Sequence, residues 1–144
     1  MSFLKSMNIT GSALTAERFR MDVALQNMAN ANTTRTASGE PYRRKQVVFQ
    51  ERGVNFSDAL KTEAARVEGG GVRVTQVVES QRDFIPVYDP SHPDANEDGY
   101  VMMPNVNTTE ERIDLMAASN AYSANLTALS VVKSLALKAL EIGK

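Results

Sequence analysis

Between Thr109 and Ile142 the chain holds neither glycine nor proline. An unbroken run of about 34 residues at 1.5 Å each predicts one helix of roughly 50 Å. Thr108 and Glu111 have the spacing of a capping box. Glu110, Glu111 and Asp114 suit the positive end of the helix dipole, and Lys133 and Lys138 lie toward the other end. The apolar face is wide, with Ile113, Leu115, Met116, Tyr122, Leu126, Leu129, Val131, Val132, Leu135, Leu137 and Leu140, and alanines fill much of the remainder.

A second helical pattern spans about Ser2 to Asn30. Met7, Leu14, Met21 and Met28 recur every seven residues, with Leu4, Gly11, Arg18 and Leu25 three positions earlier. This reads as a heptad seam with one strong row and one broken row. Methionine adapts to unlike neighbours, so these residues read as packing. Between the helices the composition turns polar. Strand candidates are Gln46–Gln50, Val72–Glu79, Phe84–Tyr88 (an edge because of Pro86) and Tyr100–Met103. Ser57 to Glu68 reads as a short helix stopped by Gly69-Gly70-Gly71. The expected fold is mainly α with a small β insert. Long antiparallel N- and C-terminal helices form a coiled-coil-like hairpin, and a β-containing central extension projects from it. The expected segments are 1–33, 34–107 and 108–144.

One hairpin does not satisfy these helices. Two antiparallel helices touch along one stripe each, and the C-terminal apolar arc is wider than one partner can cover. An apolar surface of this kind is normally a contact surface. Closed dimers could cover it, and so could an open helical assembly in which unlike patches meet.

The net charge of −1 points to neither nucleic acid nor a membrane surface. Its distribution is uneven: residues 1–45 carry seven Lys/Arg against three Asp/Glu, and residues 46–107 carry five against ten. Such a division can steer head-to-middle contact between subunits, or merely keep both parts solvated. The absence of cysteine removes disulfides, thiolate catalysis and zinc–sulfur sites. No apolar run approaches the length of a membrane span. The first residues lack the pattern of a cleaved secretory signal, which predicts another route if the protein leaves the cytoplasm.

Residues 94–105, "DANEDGYVMMPN", begin like a calcium loop, with Asp94, Asn96, Asp98 and Gly99 at positions 1, 3, 5 and 6. Position 12 is Asn105 instead of the closing glutamate, and prolines flank the start. The segment reads as a turn in which Asn and Asp bond their own backbone and Gly99 supplies a positive φ. The single histidine, His92, has no nucleophile pattern near it, and Asp89, Asp94 and Asp98 have no sign of burial, so catalysis is not expected. Arg43-Arg44-Lys45 is a weak nucleic-acid footprint, better read as a subunit contact or a solvated face. No cofactor, metal or small-molecule substrate is implied.

The two ends carry a resemblance. "NMANANTTR" at 27–35 resembles the N-terminal signature of the rod, hook and hook-associated proteins of the bacterial flagellum, with Asn27-Met28-Ala29-Asn30 as its core. "SALTAERFRMDVALQ" at 12–26 looks like that family's first helix. "ASNAYSANLTALSVVKSLALKALEIGK" at 118–144 resembles its last helix, with Ala121-Tyr122 and Asn125 in the familiar places. "VYDPSHPDANEDGYVMMPNV" at 87–106 looks like the loop of one proximal-rod member. Gln26 stands where the family often has serine. The resemblance covers well over half the chain and is weakest between 36 and 71.

It implies a structural subunit of the basal-body rod, self-assembling through its terminal helices into the axial drive shaft that crosses the periplasm. Export would use the flagellum's own apparatus, without a cleaved signal. Partners would be other rod proteins, copies of itself, and the junction of the basal-body ring with the export gate. Alternatives are another axial rod or hook subunit, or a non-flagellar coiled-coil adaptor, which would need a cleaner seam and a reason for the insert. The expected subunit-contact residues are Met7, Leu14, Met21, Leu25, Asn27, Met28, Ala29, Asn30, Ile113, Met116, Tyr122, Asn125, Leu126, Leu129, Val132 and Leu140. Asn27, Asn30 and Asn32 are expected to end the first helix, where asparagine tolerates left-handed backbone, and Asn125 is expected to bond backbone in the assembly.

Overall fold

The computed structural model describes residues 3–53 and 70–142. The order of elements is α1 (Phe3–Ala29), β1 (Lys45–Glu51), β2 (Val72–Glu79), β3 (Ile85–Tyr88), β4 (Tyr100–Met103) and α2 (Thr108–Ile142). The helix expected at Ser57–Glu68 lies outside the described residues.

The strands form two separate two-stranded ribbons, β1–β2 and β3–β4. Phe84–Tyr88 therefore does not extend the first sheet. In the first ribbon Ser80 N–H donates to Arg44 C=O, Thr75 Oγ1 to Val48 C=O, and Arg52 N–H to Gly71 C=O, so the strands run antiparallel. In the second, Ile85 pairs with Met103 and Tyr88 with Tyr100. Pro86 is tolerated because a two-stranded ribbon has a free edge on each strand, where a missing N–H costs no ladder bond.

The described chain gathers into two compact units. One holds residues 1–19, 48–76 and 118–144, the other 20–47 and 77–117. In the first, Ser12, Ala16 and Ala118 are buried among the described residues. Ser12 Oγ accepts the Val72 N–H at 3.0 Å and donates to Ile9 C=O at 2.7 Å. Gly71 makes this approach possible. Its φ is 104°, and a Cβ there would fall onto Ser12 Oγ and lie 3.3 Å from the Ile9 Cα.

The second unit holds a fuller core: Val23, Ala24, Asn27, Tyr42, Arg44, Ser80, Val101, Pro104, Asn105, Val106 and Glu111. Arg20 meets Asp114 and, two turns further along α1, Asn27 meets Glu111, so the helices run in opposite directions here. The buried stripe of α1 is displaced from the expected heptad rows. It follows Ser12, Ala16, Val23, Ala24 and Asn27, while Met7, Leu14, Met21 and Met28 are half-buried and Leu4, Arg18 and Leu25 exposed. At Ser12 the small side chain lets the Gly71–Val72 backbone approach closely, and the long methionines lie at the flanks of the buried stripe.

The ends of the helices also differ from expectation. α1 closes through Asn30 N–H to both Gln26 and Asn27 C=O and Ala31 N–H to Met28 C=O, a tightened last turn. Among the described residues only glycines have positive φ, so none of the three asparagines uses the left-handed conformation. α2 is capped by Asn107 instead of Thr108. Asn107 Oδ1 accepts from Thr109 N–H at 2.9 Å and Glu110 N–H at 3.4 Å. Glu111, freed from capping, turns its carboxylate inward.

Candidate functional site

The side chain of Asn27 is the centre of a buried polar cluster in the second unit. Its Nδ2 donates to Lys45 C=O and to Glu111 Oε2, both at 2.8 Å. Its Oδ1 accepts from Lys45 N–H and Tyr42 OH, both at 2.9 Å. An amide has two donors and two acceptor lone pairs, and all are used. The Lys45 N–H is an obligate donor, which fixes the orientation of the amide. Glu111 is held on its other oxygen by Arg44 Nε at 2.5 Å. Both Asn27 and Glu111 are 1% exposed.

Arg44 faces two more carboxylates, Asp114 at 3.3 Å and Glu110 at 3.9 Å. Asp114 is shared with Arg20 at 2.9 Å and Glu110 with Arg82 at 3.2 Å. Asp114 and Glu110 thus alternate with three guanidiniums, and Glu111 is a third carboxylate on Arg44, so the charges of this cluster have partners. Asn105 continues the network by accepting Arg44 N–H at 2.8 Å and donating to Arg82 C=O at 2.8 Å. Burial, and then the negative charge of Glu111 and of Glu79, push the Tyr42 phenol up to about 12.

Two expectations change here. Arg44 lines neither a subunit contact nor a solvated face, because its guanidinium neutralises Glu111 in the core. Its neighbours stay outside: Arg43 stacks over Phe84 at 4.2 Å and Lys45 lies over Tyr42 at 5.6 Å. Asn27 is an internal hub whose hydrogen-bonding capacity is spent within the chain, so it has none left for a neighbouring subunit. Asn30 makes a local bond, Nδ2 to Gln26 C=O at 2.9 Å. Asn125 likewise donates to Ala121 C=O of its own helix at 2.9 Å. The inward role of Glu111 was not legible from its sequence position, which also fits a cap.

The β3–β4 connection is a shaped turn. Asn96 Oδ1 accepts from Asp98 N–H and Tyr100 N–H, and Gly99, with φ 78°, lies where a Cβ would stand 3.0 Å from the Tyr88 ring. Asp94 accepts from Thr34 Oγ1 at 2.9 Å and pairs with Arg35 at 3.4 Å. His92 Nδ1 accepts Asp94 N–H at 3.1 Å. Ser91 donates to Asp89 from its hydroxyl and its N–H, which lowers the pKa of that carboxyl. These bonds assign the loop residues to shaping the turn.

Exposed apolar side chains lie on the β3–β4 ribbon, at Ile85, Val87, Tyr88 and Met102, and in greater number on the helices. On α2, Ile113, Met116, Leu126, Val131, Leu135, Leu137 and Leu140 are exposed, Met116 at 66% and Leu140 at 72%. The inward positions follow Glu111, Leu115, Ala118, Tyr122, Asn125, Leu129, Val132 and Ala136, which are buried or half-buried at alternating steps of four and three. Ile113 and Val131, five turns apart at 3.6 residues per turn, share the far side of the helix, and Leu135 lies one turn beyond. α1 adds exposed Phe3, Leu4, Phe19 and Leu25. Of the expected contact residues, Leu25, Ala29, Ile113, Met116, Leu126 and Leu140 are exposed. Met7, Leu14, Met21, Met28, Asn30, Tyr122, Asn125, Leu129 and Val132 are half-buried.

Residues 97–142 match the family model for the C-terminal region of flagellar basal body rod FlgEFG proteins. Over 150 residues, covering 100% of both chains, the sequence is 46% identical to the flagellar basal-body rod protein FlgC of Bacillus subtilis (strain 168). It is 44% identical over 144 residues to that of Escherichia coli O157:H7, with 100% of both chains covered. It is 39% identical to that of Borreliella burgdorferi over 153 residues, covering 99% of this chain and 98% of the relative.

Proposed function

Because the chain belongs to the FlgC family of flagellar basal-body rod proteins, we propose that it enters the rod through the exposed apolar faces of its two terminal helices. It is a structural subunit of the proximal rod, and its partners are other rod components. The observation that carries the proposed contact is the exposure of large apolar side chains on more than one side of α2, Leu126 and Leu137 toward one flank, Ile113, Val131 and Leu135 on the far side. Fully burying a leucine or isoleucine stabilises an interface by about 1.5–3 kcal/mol. Several such residues per helix are enough to hold neighbours together once ordering costs are met.

The contact set is Leu25, Ile113, Met116, Leu126 and Leu140, joined by the exposed Val131, Leu135 and Leu137, with the half-buried Met7, Leu14, Met21, Met28, Tyr122, Leu129 and Val132 at its margins. Ala29, Asn30 and Asn125 lie beside it. Asn27 is left out, since its side chain is enclosed. The same reading has the subunit pass through the flagellum's own export apparatus and seat near the junction of the basal-body ring and the export gate. It asks no chemistry of the chain: His92 and the acids beside it are engaged in shaping the β3–β4 turn.

The test uses a flagellated bacterium whose own copy of this gene is deleted. Leu126→Glu or Leu135→Glu should leave the purified monomer's circular dichroism near wild type, and removal of the last ten residues should lower its helical signal only by the turns removed, while basal bodies seen by electron microscopy lack a complete rod in all three. Normal rods and swimming with all three variants would overturn the proposal.

A further inference from the structure

The register of α1 against α2 must be specified by something, and in the second unit the positions of the two helices that face each other include few large apolar side chains, with Met21 and Met28 half-buried at the flank. Between Arg20 and Ala29 the inward residues of α1 are Arg20, Val23, Ala24 and Asn27. Between Thr108 and Ala117 those of α2 are Glu111, Asp114 and Leu115. Val23 and Leu115 are the only sizeable apolar side chains among them. Alanine contacts tolerate sliding, and α2 has leucine, isoleucine or methionine on several faces, so burial alone does not select one rotation of the helix.

We propose that Asn27, Arg44 and Glu111 are positioning residues that set the register and rotation of the helix pair in this unit, and thereby leave Ile113 and Met116 of α2 outward. Glu111 Oε2 receives Asn27 of α1 at 2.8 Å and Oε1 receives Arg44 beside β1 at 2.5 Å. Asn27 is tied at the same time to both backbone groups of Lys45. One carboxylate and one amide thus fix three segments to one another. A slip of one turn, 5.4 Å, separates Glu111 from both donors, leaves its carboxylate buried and unpaired, and takes from Arg44 its shortest ion pair. An unpaired buried charge is strongly unfavourable, whereas an intact buried pair adds little over a packed apolar substitute. The trio therefore acts against wrong registers more than it stabilises the right one.

The inference concerns the lone chain, so its test does not depend on assembly. The sequence has no cysteine, and Asp22 and Arg112 are exposed. Asp22→Cys with Arg112→Cys therefore accepts two spin labels, whose separation is read by pulsed dipolar spectroscopy on dilute monomer. The otherwise wild-type chain should give one narrow distance. The apolar triple variant Asn27→Leu, Arg44→Met, Glu111→Leu removes the buried charges but also the partners of the Tyr42 hydroxyl and the Lys45 backbone; folded, it should give a broadened or split distribution. A single unchanged distance in that folded variant would overturn the proposal. Should the triple variant not fold, Asn27→Ala is compared with Val23→Ala, which opens a cavity in the same seam. Broadening in Asn27→Ala alone supports the positioning role; equal broadening in both, or in neither, refutes it.

Discussion

Asn27 illustrates how much one amide can carry when every hydrogen-bonding position is used. Its Nδ2 faces a carbonyl and a carboxylate, so Asn27→Asp sets a second acceptor-only group 2.8 Å from Glu111 Oε2. Burying such an uncompensated charge costs about 3–5 kcal/mol. Urea denaturation should show a loss of that order, and a loss under about 1 kcal/mol would mean that the cluster is wet. Tyr42 gives a second residue-level expectation. Its folded pKa is raised from 10.0 to about 12, so the neutral phenol favours the folded state. That stability is fully present below pH 10 and is lost as pH rises toward about 12. Tyr42→Phe cannot ionise and should lose less stability than wild type across this window. Parallel stability curves for the two proteins between pH 10 and 12 would contradict the assignment. Neither role could be read from the sequence. Asn27 there is one asparagine among several at a helix end, and its partners lie 15 to 84 residues away.

At the level of elements, period and punctuation were legible where local chemistry decides the outcome. The long glycine- and proline-free run is a helix, β2 and β4 fall on the expected residues, and Asn96 with Gly99 makes the expected turn. Errors arose where two local rules give the same pattern. Thr108 and Glu111 have capping-box spacing, but Asn107 stands one residue earlier and Glu111 has a stronger use in the core. The methionine row has a heptad period, but the buried positions are Ser12, Ala16 and Ala24, and at Ser12 the close neighbour is the backbone of Gly71 and Val72. The cap can be tested directly. Asn107→Ala should cost about 1 kcal/mol, read from the thermal or urea midpoint, whereas Thr108→Ala should be within about 0.5 kcal/mol of wild type. The reverse order would restore Thr108 as the cap.

On the scale of the whole chain, the two compact units are unequal in what they bury. Residues 20–47 and 77–117 enclose a hydrogen-bonded, charge-paired core, while the described part of the other unit buries Ser12, Ala16 and Ala118 and leaves Leu126, Leu135, Leu137 and Leu140 in solvent. Local opening free energy follows buried apolar contact and shielded hydrogen bonds. Amide hydrogen exchange on dilute monomer should therefore protect residues 20–29 and 108–117 most. Amides in 3–19 and 118–142 should exchange faster, although they belong to the same two helices. Incorporation into rods should slow the faster set selectively, because neighbours would cover the apolar faces that the lone chain leaves open. The mass-action gain belongs only to the state that binds, so the protection should rise with assembly and disappear on dissociation. Equal protection along both helices in the free monomer would mean that the terminal turns are complete without partners, and would remove the physical reason for assigning them to assembly.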